Sequence, residues 1–495
     1  STIFAGTTAD DKKAPMTKHF ELIKSTDTQL VARLRSGEIS PHDLLDALEA
    51  RIAQVNPAVN ALPTLCFERA RREADKLLKR PIAERGALCG LPVPIKYLVD
   101  VAGVRSTQGS PIFANKVPEK YDILVRHIEA NGGLVYAMSN TPEFGAGANT
   151  FNEVFGATLN PWNTSRSAAG SSGGAAVALA TGMAWIAHGS DHGGSLRNPA
   201  SFCGVTGIRP SIGRVARSPA AMIDRTMSVQ GPMARNVMDL ALGLDAMSGE
   251  DAADPLSLPA TPGAFQKAAG SGWRPKKVAY SADLGITPVD PEVAAITRKA
   301  AQRFAEAGVT VEEAHPDLRE AHDCFQVLRA FDFAISKAKL LREHRDKLKP
   351  EVIWNIEQGL KLTMDDIERA EAQRLVLMNR LLAFFTQYDL LLCPATIVAA
   401  FPIEQRYLEE CAGKKFGNYV EWLAIVYAIT LTCGAAMSLP CGFTSEKLPV
   451  GLQIIGPPRG EGRVLAGAKV LEDVLGMRDL LPIEPKVAGA RQAAE

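Results

Sequence analysis

Long hydrophobic runs are missing from this sequence. No apolar stretch approaches the ~18 residues that a membrane-spanning helix needs. The opening segment, STIFAGTTADDKKAPMTKHF, lacks the apolar centre of a secretory signal. The expectation is a cytoplasmic chain with no membrane partner. A surplus of one charge is missing too, since 55 Lys and Arg balance 55 Asp and Glu. No basic field calls for nucleic acid as a partner. The eight cysteines (Cys66, Cys89, Cys203, Cys324, Cys393, Cys411, Cys433, Cys441) form no CxxC pair and no framework, which reads as reduced thiols. Metal-ligand spacing is also absent. There is no HExxH, and the i, i+4 pair His188 and His192 has no carboxylate or cysteine at ligand spacing. The metal expectation is therefore none.

What is present is an ordinary globular composition, 46% hydrophobic and 22% charged, enough to fill a large core. Length alone would allow about three domains, although one large α/β domain can absorb it. Residues 27–79 read as helices, with a Ser-Pro start at Ser40 and Pro41. From Gly90 the texture changes to short apolar runs, LPVPIKYLVDV and GGLVYAMSN, with a helical link over 122–130. Such alternation predicts a mostly parallel sheet covered on both faces. Helices are expected after Gly170, over 235–247, and from Asp290 to Gly308. KKVAYSADLG and YDLLLCPAT read as buried strands, and AAMSLPCGF with PVGLQIIGP as a C-terminal hairpin. Residues 319–388 read as helical and more charged. With no repeat and no linker, the expected organisation is an extension over 1–26, a single domain over 27–485, and a mobile polar tail over 486–495.

The stretch from Ala168 to Ala180, AAGSSGGAAVALA, carries the chemistry question. A phosphate cradle needs Lys-Ser/Thr after its glycines, but Gly174 is followed by Ala-Ala-Val. A nucleotide-binding role is disfavoured. GxSxG with Ser172 as nucleophile fits the letters, yet needs a later acid and histidine. His315 precedes a proline, and His322 and His344 fall in helical sequence. By itself the stretch is a turn capping a helix. Two distant residues alter that reading. Lys96 stands alone inside an apolar strand, where burial disfavours the ammonium and makes a general base available. Ser195 follows paired glycines in GSDHGGSLRNP. Base, relay hydroxyl and nucleophile then form a Ser-Ser-Lys set without histidine.

With these residues the chain resembles the amidase signature family from about residue 27 to residue 476. The resemblance is carried by GLPVPIKYLVDVAG, SNTPEFG, ATLNPWNTSRSAAGSSGGAAVALA, GSDHGGSLRNPASFCGVTGIRPSIGRV, GPMARNVMDLA, LLLCPAT and LPVGLQIIGP. It implies an α/β fold with a large mixed twisted sheet between helical layers. It also implies hydrolysis of a small-molecule amide through an acyl-enzyme, with no cofactor, and leaves a homodimer open. By resemblance, Ser195 is the nucleophile, Ser171 the bridging hydroxyl after a cis Gly170–Ser171 peptide, and Lys96 the base. The amides of His192, Gly193, Gly194 and Ser195 correspond to the oxyanion hole. A side chain at 193 or 194 is expected to crowd the substrate carbonyl. Phe144 and Gly145 correspond to the substrate side of the cleft. Ser172 reads as a hydrogen-bonding helper, and Asp191 with Arg197 as a buried pair holding the nucleophile loop.

The chain departs from the family's pattern at four places. Tyr97 replaces the usual acid after the lysine, Ala169 replaces the first glycine of the usual GGSSGG, and Ala175 is the residue after the second glycine pair. His192 stands where a small or β-branched residue is commoner. Esters, anilides and carbamates suit the same triad. A glutaminase-type subunit of a tRNA-dependent amidotransferase, acting with a partner chain, is the alternative of another class. The 319–388 region, with Phe325, Phe331, Phe333 and Trp354, is expected to cover the cleft and choose the acyl or amine group.

Overall fold

A computed structural model describes residues 19–218 and 226–489. Residues 1–18 of the expected extension and 490–495 of the expected tail lie outside the described residues. The packed body begins earlier than residue 27. Leu22 and Ile23 are buried, and their carbonyls accept from Trp185 Nε1 (3.0 Å) and Arg235 Nη1 (2.8 Å). It also ends later than residue 485. Lys486 N–H donates to Pro161 O and Ala488 N–H to Thr164 Oγ1, so residues 486–488 are strapped to the 161–164 loop. Among the described residues no helix is long and apolar enough to cross a membrane.

Helices α1 (Asp27–Ser36), α2 (Pro41–Val59) and α3 (Phe67–Leu78) form the N-terminal layer. Ser40 caps α2 by accepting from Asp43 N–H, with Pro41 in the first helical position where its missing N–H is harmless. A small sheet follows, in which β2 (Pro92–Lys96) runs parallel to β3 (Leu134–Ser139) and β1 (Thr64–Leu65) antiparallel to β3. Helix α4 (Ile123–Ala130) makes the crossover between β2 and β3.

The main sheet has eight strands: β4 (Ile186–Asp191), β5 (Thr206–Arg209), β6 (Val229–Ala234), β7 (Lys277–Tyr280), β8 (Thr310–Glu313), β9 (Leu390–Pro394), β10 (Ala436–Phe443) and β11 (Pro449–Ile455). Their order is β8-β7-β9-β11-β10-β5-β6-β4. Only β7 pairs in parallel, with β8 and β9; the other five pairings are antiparallel. The sheet is therefore mixed, and the mostly parallel expectation is corrected. Parallel return needs a crossover of about a dozen residues or more, which the short link between β10 and β11 cannot supply. The two strands after Gly90 belong to the small sheet, not the main one.

Alternating residues of β9 feed opposite faces. Leu390 and Leu392 join a core with Leu240 of α7 (Val237–Met247), Val293 of α8 (Pro291–Gln302) and Val464 of α13 (Glu461–Leu475). Leu391 and Cys393 join another, with Phe325 of α9 (Ala321–His344), Leu377 of α11 (Met364–Phe384) and Ile425 of α12 (Ala424–Leu431). A period of two on a sheet covered by helices on both faces gives this split. Helix α10 (Pro350–Leu360) packs beside α9.

Helix α5 (Gly173–Ala180) explains the small residues after the serine pair. All eight of its residues are buried. A Cβ on Gly174 would lie 2.3 Å from Asn140 N, and one on Gly173 2.3 Å from Thr150 Oγ1. The helix start can be seated this deep only without side chains at both positions.

Candidate active site

Three separate elements deliver one polar cluster. Lys96 ends β2, Ser171 and Ser172 precede α5, and Ser190 lies next to the end of β4. Lys96 is fully buried, and its Nζ lies 2.7 Å from Ser171 Oγ, 2.8 Å from Ser172 Oγ and 2.9 Å from Ser190 Oγ. Desolvation lowers its pKa to about 7, against an opposing pull from Asp191. A substantial share of the side chain is then neutral at physiological pH. The Gly170–Ser171 peptide is cis. Ala169, where the resemblance expects glycine, takes φ 57°, a conformation costly for a residue with Cβ.

The three hydroxyls are not equivalent. Ser172 Oγ donates to Ser190 O (3.3 Å) and accepts from Ser190 N–H (3.3 Å), so its proton has an outlet other than the lysine. Ser171 Oγ and Ser190 Oγ bond only to Lys96 among the described residues, and both residues line a cavity with Ser195. Gly189 permits the close approach of Ser172, because a Cβ there would lie 2.8 Å from Ser172 Oγ. Ser190 has no role in the sequence reading. Its signal was the alternation with His188, which faces the same lysine.

His188 is buried and held neutral, its pKa lowered to about 3 chiefly by desolvation. Its Nδ1 accepts from Lys96 N–H (3.2 Å), which leaves Nε2–H to donate to Gln230 Oε1 (2.7 Å). Tyr97 takes no part in holding the ammonium. Successive side chains point to opposite sides of an extended chain, and Tyr97 stacks on Phe155 and hydrogen-bonds Thr64 instead.

The loop that carries Ser195 is organised by Asp191. Its carboxylate accepts from Gly194 N–H (3.0 Å), Leu196 N–H (3.1 Å), Arg197 Nε (3.0 Å) and Nη2 (2.9 Å), and Arg209 Nη1 (3.1 Å). Burial pushes the carboxyl up, but the two guanidiniums and these donors overcome it and hold it well below the usual carboxylate range. Arg209 is a partner that the sequence reading did not name.

The Gly194 N–H is committed to Asp191, which corrects its assignment as a free oxyanion donor. The amides of Gly193 and Ser195 have no acceptor among the described residues. The reason for the two glycines also changes. A Cβ on Gly193 would meet Phe325 Cζ at 2.9 Å, and one on Gly194 would meet Val426 Cγ2 at 2.4 Å, with φ +107° besides. Both clashes are with the protein's own packing. Ser195 leads into α6 (Arg197–Cys203), and its carbonyl accepts from Ser172 N–H (3.3 Å), joining the two serine loops.

Ser171, Ser190, His192 and Ser195 open on a cavity of about 590 Å³. Leu98, Phe144 and Phe333 give it apolar wall. Phe144 sits at φ 51°, and Gly145 beside it is so close that an added Cβ would lie 3.3 Å from Ser171 Oγ. His192 Nδ1 is 2.7 Å from Ser228 Oγ, and its ring meets Phe325 edge-on. From the helical 319–388 region, Arg329, Asp332, Phe333, Ser336 and Lys337 reach the cavity. Phe325 instead lies buried beneath Gly193, stacked on Tyr427, and Trp354 packs on Tyr419. Phe331 is half-buried and does not line the cavity. Among the described residues no group of three His, Cys, Asp or Glu side chains could hold a metal ion.

The Amidase family model matches residues 43–465. An acylamidase of Rhodococcus erythropolis is 33% identical over 468 residues, covering 93% of this chain and 97% of the relative. A glutamyl-tRNA(Gln) amidotransferase subunit of Thermus thermophilus is 33% identical, over 90% of this chain and 96% of its own. The crystal structure of a bacterial aryl acylamidase of the amidase signature family superposes with a TM-score of 0.85 at 26% identity, covering 92% of this chain and 98% of that one. Joined to a buried lysine among serines on a mixed sheet, these likenesses make the chain a member of the amidase signature family, a hydrolase of amide C–N bonds.

Proposed function

We propose that the protein is a free-standing acylamidase that works through an acyl-enzyme on Ser195, with Ser171 and neutral Lys96 as proton relay. As Ser195 Oγ bonds to the amide carbonyl carbon, its proton passes to Ser171, whose own proton passes to Lys96 Nζ. The oxyanion is received by the amides of Gly193 and Ser195, joined by that of His192; one such donor typically contributes ~10²–10³ in rate. The tetrahedral intermediate then collapses. The C–N bond breaks while the Lys96 ammonium returns a proton through Ser171 to the departing nitrogen. Water repeats the sequence on the ester and restores the Ser195 hydroxyl. The carrying observation is the 2.7 Å contact of Lys96 Nζ with Ser171 Oγ, at the wall of the cavity that Ser195 shares. Eight free cysteines fit the reducing cytoplasm proposed as its setting.

Acyl anilides, simple acyl amides, esters and carbamates form the panel that tests this reading, with Ser195→Ala as control. The expected result is amide turnover that the substitution abolishes. The likeness to amidotransferase chains favours a second reading, a glutaminase that works inside a complex. Ammonia released by the purified chain from glutamine, in preference to acyl amides, would favour it.

A further inference from the structure

We infer that Lys337 anchors an anionic group, a carboxylate, on the substrate, so that the preferred amides carry a negative charge beyond the scissile bond. This rests on the amidase reading of the same cavity and deepens it. Lys337 belongs to α9 and lines the cavity with Ser195 and Ser171. Its Nζ lies 4.7 Å from the centre of the Phe144 ring and 6.0 Å from that of Phe333, both of which also line the cavity. Phe144 is bonded to Gly145, which approaches Ser171, so the ammonium stands near the reacting end of the cleft.

What singles out Lys337 is that no acceptor receives it. Among the described residues no carboxylate lies within ion-pairing distance of its Nζ, and no oxygen within hydrogen-bonding distance. The other half-buried and buried cations of this wall are held by protein oxygens: Arg329 donates to Tyr419 Oη (2.9 Å) and Arg217 to Ser228 O (2.9 Å). The acid nearest in its electrostatics, Glu143, is occupied by Ser110 Oγ (2.6 Å) and Lys349 N–H (2.8 Å). Behind Phe144 and Phe333 lies an apolar cluster with Leu341, Val352 and Ile356, which cannot solvate an ammonium. A cation held over two phenyl faces at a cavity wall, with its hydrogen-bonding capacity unspent, is placed to receive an anion from the cavity side. Burial draws its pKa down to about 8 against the pull of Glu143, so it is mostly charged at pH 7 and a bound carboxylate would hold it so.

The test compares kcat/KM within matched pairs at pH 7 and low salt. On the acyl side, the mono-4-nitroanilides of succinic and glutaric acid are set against the isosteric 4-methylpentanoyl and 5-methylhexanoyl 4-nitroanilides. On the amine side, N-butyryl-4-aminobenzoate is set against N-butyryl-4-isopropylaniline. The expected result is a preference of about tenfold or more for the carboxylate in one arm, expressed in KM. It should fall to near unity in Lys337→Met, survive in part in Lys337→Arg, and weaken with added salt. Wild-type enzyme that cleaves the neutral anilides but prefers the carboxylate in neither arm overturns the proposal while the triad stands. A preference undiminished in Lys337→Met overturns it too. If the wild type cleaves no member of any pair, the acylamidase reading fails and takes this proposal with it.

Discussion

Lys96 Nζ and Ser171 Oγ lie 2.7 Å apart, both buried and joined from two elements 75 residues apart in sequence. Because the lysine is fully desolvated, the contact is one between a hydroxyl and an amine whose pKa is about 7. Only the neutral amine accepts a proton. The rate kcat/KM is therefore expected to rise with pH through about 7 and to level off above it. A pH–rate profile checks this, and the inflection should vanish in Lys96→Met. A profile falling through that range would mean that the ammonium is the active form.

The same lysine has a stability consequence. Its folded pKa lies below the ordinary value of ~10.4, so between about 7 and 10 the unfolded chain binds the extra proton. Wild-type stability should rise with pH across that window and be poorest below it. Lys96→Met carries no such charge, so the Tm of the variant relative to wild type should decline as pH increases from 7 to 10. Thermal unfolding at a series of pH values measures this difference; a variant that gains on the wild type with rising pH would contradict the burial argument.

The serines around Nζ should separate on substitution. Ser171→Ala removes the proposed relay, and a loss of about 10²–10⁴-fold in kcat is expected. Ser172→Ala removes one or two hydrogen bonds and should cost about ten- to a hundredfold, at ~1–1.5 kcal/mol each. Ser190→Ala belongs with Ser172→Ala if Ser190 only steadies the ammonium. A larger loss in Ser190→Ala than in Ser171→Ala would move the relay to Ser190.

Asp191 is the fixed point of the Ser195 loop. Asp191→Asn leaves Arg197 and Arg209 buried without their carboxylate, an expected loss of about 3–5 kcal/mol. The depressed carboxyl pKa contributes stability in full above the unfolded value of ~3.9 and loses it as pH falls below that toward the folded one. The Tm difference between wild type and Asp191→Asn should therefore close only in strong acid, apart from one step near pH 7, where the gap is wider on the acid side because the charged Lys96 also loses the pull of Asp191. A gap that closes between pH 5 and 6 would point to another group.

Legibility differed by kind of signal. Lys96 was readable because a charge inside VPI and YLV breaks an apolar run, and Ser171 and Ser195 because glycines crowd them. The C-terminal hairpin was readable because its loop is short. Ser190 was not, since its alternation with His188 marks only a shared face of β4; the approach of β2 to β4 gives it a partner. The commitment of Gly194 N–H to Asp191 depends on where a loop folds back on itself, which composition does not record. Lys337 reads as an ordinary charge on a helix until Phe144, from nearly two hundred residues earlier, is packed beneath it. The mixed sheet was legible through the family resemblance and not through the alternation of strands and helices, because strand neighbours such as β9 and β7 are chosen by long-range packing.

The claim on which the rest depends is covalent attachment at Ser195. Intact-protein mass spectrometry during turnover of a slowly deacylating activated ester measures it directly, followed by peptide mapping. One acyl adduct per chain is expected, on the peptide that contains Ser195, and none on Ser195→Ala. An adduct of equal yield on Ser195→Ala, or one mapped to Ser171 or Ser172 in the wild type, would contradict it.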